Sequence, residues 1–199
     1  MNVTIILGTV VWLYVLSVLK RAQLSAYLFI IGSAGLFFIL SAISRPYWVW
    51  FFTHAVIHGV ALFSDITNWC TVLFKSGLVY IGNGQNAVMM SIDYECSGII
   101  ETCAFIALVA FFPMYERKEK VFYGLFGLVY IYLINVLRLV VVIVIVHFGG
   151  GETFFIAHSI IGRLVFYVLV IALYYNVFTY SQLARGIYRE FLDWRHDKL

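Results

Sequence analysis

Apolar runs of about 20 residues, the length a helix needs to cross a hydrocarbon core of roughly 30 Å, recur along this chain with only short polar breaks between them. Few architectures accept such a pattern. The composition narrows them further: 63% of the 199 residues are apolar, 19% are aromatic and only 12% are charged, against about 25% charged in soluble domains. The expected fold class is an all-α polytopic membrane protein, with residues 1–199 forming a single integral membrane domain. The formal charge of +3 reads as an asymmetry between loops and not as a signal for nucleic acid, so membrane lipids are expected partners and nucleic acid is not.

The basic residues gather in three places: Lys20 and Arg21; Arg117, Lys118 and Lys120; and Arg185, Arg189, Arg195 and Lys198. Clusters beside spans mark the cytoplasmic side. With these as anchors, residues 2–19 run inward, 24–43 outward, 97–112 inward, 121–147 outward and 153–178 inward again. The expected location is the cell membrane, multi-pass, with the C-terminus cytoplasmic. The first segment lacks a basic leader and a small-residue cleavage site, so it reads as a retained span.

Residues 47–75 are ambiguous. They either cross twice, as 47–63 and 66–82 with Asn68 and Lys75 weakening the second, or lie as a pair of helices at the outer interface, which the aromatic run Tyr47-Trp48-Val49-Trp50-Phe51-Phe52 suits. Five to seven transmembrane helices are therefore expected. Between residues 78 and 95 the pattern alternates, with Val88, Met90, Ile92 and Tyr94 on one face, and Asn83-Gly84 offers a hairpin turn. A short extracytoplasmic β-ribbon thus precedes the next helix, outside the lipid because open strand edges are not tolerated there. The chain divides into N-terminal spans and interfacial helices (1–75), a core (76–178) and a basic cytoplasmic tail (179–199).

Chemistry-bearing residues cluster in that core. Cys96 stands where the ribbon gives way to an apolar helix, and a helix N-terminus favours a thiolate. Asp93 and Glu95 oppose that shift, so activation requires a nearby cation. Arg138 lies inside an apolar span, where burying a guanidinium costs about 2.5–3.5 kcal/mol and such residues usually face an interior site. The competing reading is a snorkelling arginine or a pair with Glu152. Asn135, one turn earlier, is placed to orient Arg138. His158 supplies a base that exchanges protons near neutral pH, and a thiol with an imidazole makes a nucleophile pair. By helical rise, Cys96, Arg138 and His158 fall in one layer of the outer half of the membrane.

Other candidates have plainer readings. Cys70 and Cys103 read as small apolar residues, and Cys103 is too far along the helix from Cys96 for a disulfide. Arg163 lies near a span end and reads as snorkelling. His54 and His58 form an i, i+4 pair, but no third ligand completes a metal motif, so they read as interfacial or packing residues.

The elements Glu95-Cys96-Ser97-Gly98, Asn135-x-x-Arg138 and His158-x-x-x-Gly162-x-x-x-Phe166, in that order across residues 78–178, resemble the exosortase/archaeosortase family of membrane cysteine transpeptidases, and its compact Gram-positive (type G) members in particular. The resemblance implies a thiol protease acting in protein sorting at the cell envelope. Catalysis would fall to Cys96, Arg138 and His158 on the extracytoplasmic side, with Asn135, Ser97, Gly98 and Gly162 in support and no cofactor or metal. The implied substrate is a secreted protein ending in a short motif, an apolar span and a basic tail, transferred to a lipid or glycan acceptor. The alternative is a non-catalytic transporter or assembly factor that uses Arg138 as a structural or substrate counterion. Signatures of serine, zinc and aspartyl intramembrane proteases are absent from the sequence.

Overall fold

The computed structural model describes residues 3–44, 47–74, 76–82, 87–92 and 94–180. Six long helical elements and one small sheet account for most of them. The elements are α1 (Val3–Arg21), α2 (Ser25–Ile43), α3 (Tyr47–Thr67), β1 (Cys70–Leu73), β2 (Leu78–Ile81), β3 (Val88–Ser91), α4 (Ile99–Phe111), α5 (Arg117–Gly149) and α6 (Gly151–Thr179). The Asn83-Gly84 turn, Lys75, Asp93, the side chain of Glu95 and the basic residues of the tail fall outside the described residues.

Four of these helices, α2, α3, α5 and α6, are long and apolar enough to cross a membrane, and α1 has the same 19-residue length as α2. Helix α4 is shorter than the run of residues 97–112 suggests. It holds 13 residues, about 20 Å at 1.5 Å per residue, because Gly98 takes a left-handed φ of 73° at one end and Phe112 is extended at the other. The extended residue is the one before Pro113, where proline disfavours helical backbone. Helix α5, by contrast, has 33 residues and is about 50 Å long. A reciprocal capping box between Glu116 and Glu119 starts it, and Gly150, with φ 78°, ends it. The cap satisfies two otherwise orphaned backbone donors.

Packing divides the molecule in two along α5. Around its first half, Phe105, Val109, Phe112, Tyr115, Ile131, Leu173 and Val177 form one buried cluster. Around its second half, Val56, Ile57 and Val60 of α3, Cys70, Val79, Ile81, Met90 and Ile92 of the sheet region, and Leu139, Val142, Ile143 and Val146 of α5 form another, which also contains Cys96 and Ala157. The sheet is antiparallel in the order β1-β2-β3. Its registers set Cys70 against Ile81 and Val79 against Met90, so these four buried side chains line one face.

Helix α3 runs parallel to the second half of α5. Tyr132 donates through its hydroxyl to the Ala55 carbonyl at 3.2 Å, and just past the end of α3 Trp69 stacks on His147, near the end of α5, with ring centroids 5.0 Å apart and planes 13° apart. The start of α3 lies beside the body of α4, where Trp48 and Phe52 share a hollow with Thr102, Cys103, Ile106 and Leu128.

Two expectations change here. Residues 66–82 do not form a crossing helix: they are the last turn of α3, then β1 and β2. The ribbon accordingly has three strands, and the pairing of β1 with β2 bridges the division expected at residue 75. The four-residue strand Cys70–Leu73 is too short for periodicity to separate it from helix. Neither does the aromatic run begin a pair of interfacial helices, since residues 47–67 form one continuous helix.

Candidate active site

Cys96 closes a 3₁₀ turn, Tyr94–Cys96, three residues before α4 begins. It therefore stands two residues before the helix N-cap, Gly98, and not directly at the helix start as the sequence suggested. Each residue after it has a definite part in shaping that turn. The Ser97 hydroxyl donates back to the Tyr94 carbonyl at 2.8 Å, and Gly98 supplies the left-handed conformation that a side chain would strain. The Asn135 amide, fully buried, donates to the Cys96 carbonyl at 2.7 Å. Asn135 thus fixes the thiol-bearing turn, whereas its place on the same helical face suggested that it would orient Arg138.

The three residues singled out from the sequence meet. Arg138 points Nη2 at the Cys96 sulfur at 3.4 Å, and His158 brings Nε2 to 3.7 Å from the same atom, both within the range of hydrogen bonds to sulfur. Cys96 and Arg138 are 7% and 5% exposed. Glu152, the alternative partner of Arg138, instead lines a separate hollow with Gly149, Gly150 and Gly151.

Aromatic rings flank both polar heads. The ring of Phe166 faces the Arg138 guanidinium, 5.6 Å from its central carbon to the ring centroid, and Phe154 stacks on the His158 imidazole at 5.5 Å with planes 8° apart. Among the described residues, Arg138 Nε and His158 Nδ1 are buried without hydrogen-bond partners. Stacking therefore carries the orientation that a hydrogen bond to the second ring nitrogen more often supplies. His158 also sits in a π-helical turn, Ala157–Ile161, an irregularity common at functional sites. The next residue, Gly162, lets α6 approach α5 closely: a Cβ there would lie 2.9 Å from Val142 and 3.0 Å from the Ala157 carbonyl.

These groups open onto a cleft of about 710 Å³ that Ser91, Tyr94, Glu101 and Arg163 also line. Glu101 and Arg163 sharpen the sequence reading. A carboxylate inside an apolar helix is itself a signal, one that the sequence reading omits at Glu101, and Arg163 lines the cleft in place of the snorkelling role its position near a span end suggests. The remaining candidates lie elsewhere. All three cysteines are free. Cys70 is buried in β1, where burial pushes its thiol above the ordinary value while Ser64 acts in the opposite direction. Cys103 faces an apolar hollow among α2, α3 and α4. His54 stacks on Trp50 with centroids 4.1 Å apart, His58 packs on Phe74, and among the described residues no group of three or more His, Cys, Asp or Glu side chains comes together to hold a metal.

Chemically, the arrangement is a nucleophile with a fixed cation and a base on it. A thiolate is favoured by a neighbouring cation, an imidazole within reach can take and return a proton, and a rigid guanidinium beside the sulfur can stabilise an oxyanion forming on an attacked carbonyl. Comparisons with known proteins yield no relative: no family model, no curated protein and no solved structure matches the chain.

Proposed function

We propose that the chain is an integral membrane cysteine peptidase of the exosortase-like transpeptidase class, acting on the C-terminal sorting signal of secreted proteins. The observation that carries this reading is the convergence on one sulfur of a guanidinium at 3.4 Å and an imidazole at 3.7 Å, from positions 42 and 62 residues later in the chain. A transporter or assembly factor has no need of a thiol between its arginine and its histidine.

In the reaction, His158 takes the Cys96 proton, the sulfur attacks the scissile carbonyl carbon and the carbonyl electrons move onto oxygen. Arg138 stabilises that charge. As the C–N bond breaks, His158 gives a proton to the departing amine, leaving a thioester on Cys96. An acceptor N–H or O–H, or water, then attacks the thioester, His158 takes its proton, and the thiolate leaves. The released segment is the apolar span with its basic tail, and the acceptor is a lipid or a glycan.

For topology we propose five crossings, α1, α2, α4, α5 and α6, with the basic ends cytoplasmic and Cys96 on the extracytoplasmic side. Helix α3 then packs along α5 from about Tyr132 outward without a crossing of its own, and the sheet covers the end of α5 that projects beyond the core. This is consistent with the parallel run of α3 on α5 and with an α5 about 20 Å longer than a hydrocarbon layer.

The test is processing, in membranes, of a secreted protein ending in motif, apolar span and basic residues. Cys96→Ala should abolish cleavage, a loss of at least about 10⁴-fold, while Cys70→Ala and Cys103→Ala cleave normally and all three variants insert equally. Cleavage that survives Cys96→Ala would end the cysteine-peptidase reading. An impermeant thiol reagent added from outside should label Cys96, and labelling only after permeabilisation would reverse the topology.

A further inference from the structure

A cavity far from Cys96 has the chemistry of a ligand site. At the opposite end of the bundle, the C-terminal end of α1, the start of α2, the end of α4 and the start of α5 surround a hollow of about 680 Å³, within the size range of built small-molecule sites. Its walls are apolar, with Leu13, Leu16, Leu28 and Phe111 among them, and its polar lining includes Lys20 and Lys120. One Lys120 N–H is used, donated to the Ala110 carbonyl at 2.7 Å, which holds the ammonium at the cavity. No carboxylate lines this hollow. Two cations over a wall of leucine side chains match a molecule with an anionic head and a hydrocarbon tail, and neither part alone would satisfy both surfaces.

We propose that this cavity binds one anionic glycerophospholipid, its phosphate between Lys20 and Lys120 and an acyl chain along Leu13, Leu16 and Leu28. The inference rests on the membrane reading above and is independent of the chemistry at Cys96. Basic pockets between membrane helices commonly hold such headgroups, and each lysine near the surface contributes about 1 kcal/mol, a factor of roughly 5 in affinity. The bound lipid would bridge the α1–α2 hairpin and the α4–α5 junction.

Titration of the full-length protein in neutral detergent, read by native mass spectrometry, tests this with palmitoyl-oleoyl phosphatidylglycerol, the matching phosphatidylcholine and sn-glycerol 3-phosphate. One phosphatidylglycerol should bind in clear preference to phosphatidylcholine. Lys20→Ala and Lys120→Ala should each weaken it roughly 5-fold, and together roughly 25-fold, whereas Lys118→Ala, which does not line the cavity, leaves it unchanged. Leu28→Trp, which fills the hollow and keeps both charges, should exclude the lipid and guards against a lysine variant that merely fails to fold. Equal binding of phosphatidylcholine, an unaffected double variant, or glycerol 3-phosphate binding as tightly as the whole lipid would each overturn the proposal. Retention of the chain in membranes washed with alkaline carbonate checks the membrane reading separately.

Discussion

The two halves of α5 are packed by different chemistry. The first half is clamped by rings: Phe105 of α4 meets Tyr174 of α6 edge-on at 5.6 Å, Phe112 meets Phe178 at 5.0 Å, and the Tyr115 hydroxyl donates to the Val177 carbonyl. The second half is packed by aliphatic side chains from α3 and the sheet, with Val60, Val79, Leu139 and Val142 fully buried. Asn135 and Arg138 stand at the junction. Large rings with directional contacts lock α4 and α6 to α5 at one end, so that at the other end the two helices can flank an open cleft without losing their relative position. The clamp contains none of the reacting groups, so it contributes stability to the fold and not chemistry at Cys96.

That contrast can be broken first at the junction itself. Arg138→Lys keeps the charge but moves it, since an ammonium lacks the planar fork of a guanidinium, and should lower substrate cleavage by about 10²–10³. His158→Ala should cost about 10²–10⁴. Because both serve one transition state, the double variant should fall well short of the product of the two losses. Cleavage assays normalised to protein abundance decide this, and turnover near wild type in Arg138→Lys would return Arg138 to the role of structural counterion.

A second test exchanges chemistry for stability. Phe105 is fully buried in the ring clamp, and Phe105→Ala should destabilise the fold by about 3–5 kcal/mol, seen as a large drop in detergent melting temperature. The surviving folded fraction should keep the thiol–imidazole contact, so alkylation of Cys96 per folded molecule should change little. A loss of Cys96 reactivity out of proportion to unfolding would mean that clamp and site are not separable.

The smallest effect is expected at Phe154. Replacing the ring that stacks on His158 by Phe154→Leu removes an interaction worth about 0.5–1.5 kcal/mol and should slow cleavage several-fold at constant KM, with Phe154→Tyr restoring it. A change in KM alone would make Phe154 part of the substrate-binding wall instead of a positioning residue for His158.

Much of the site was legible in the sequence because its members are chemically out of place there. A guanidinium at position 138 inside an apolar run, a thiol at a break in pattern and a histidine near a helix start each stand out, and helical rise was enough to bring all three to one depth. Glu101 carries the same kind of signal but lies in the first turn of a shorter helix, where a carboxylate is less out of place. The fold was less legible between residues 47 and 82. A 21-residue apolar helix has the same composition whatever it packs against, and only contacts such as Tyr132 with Ala55 reveal that its partner is α5.

The sequence by itself determined the helical, lipid-compatible character of the chain, since apolar run length and the cost of burying charge are properties of local composition. It also determined which side chains were available for chemistry. Only the tertiary structure decided that β1 completes a three-stranded sheet, that Asn135 holds the Cys96 carbonyl and not Arg138, and that rings orient the arginine and the histidine. Those outcomes depend on distances between segments far apart in the chain. Such distances are fixed when helices pack, through close approaches such as that of Gly162 to Val142, and no local preference encodes them.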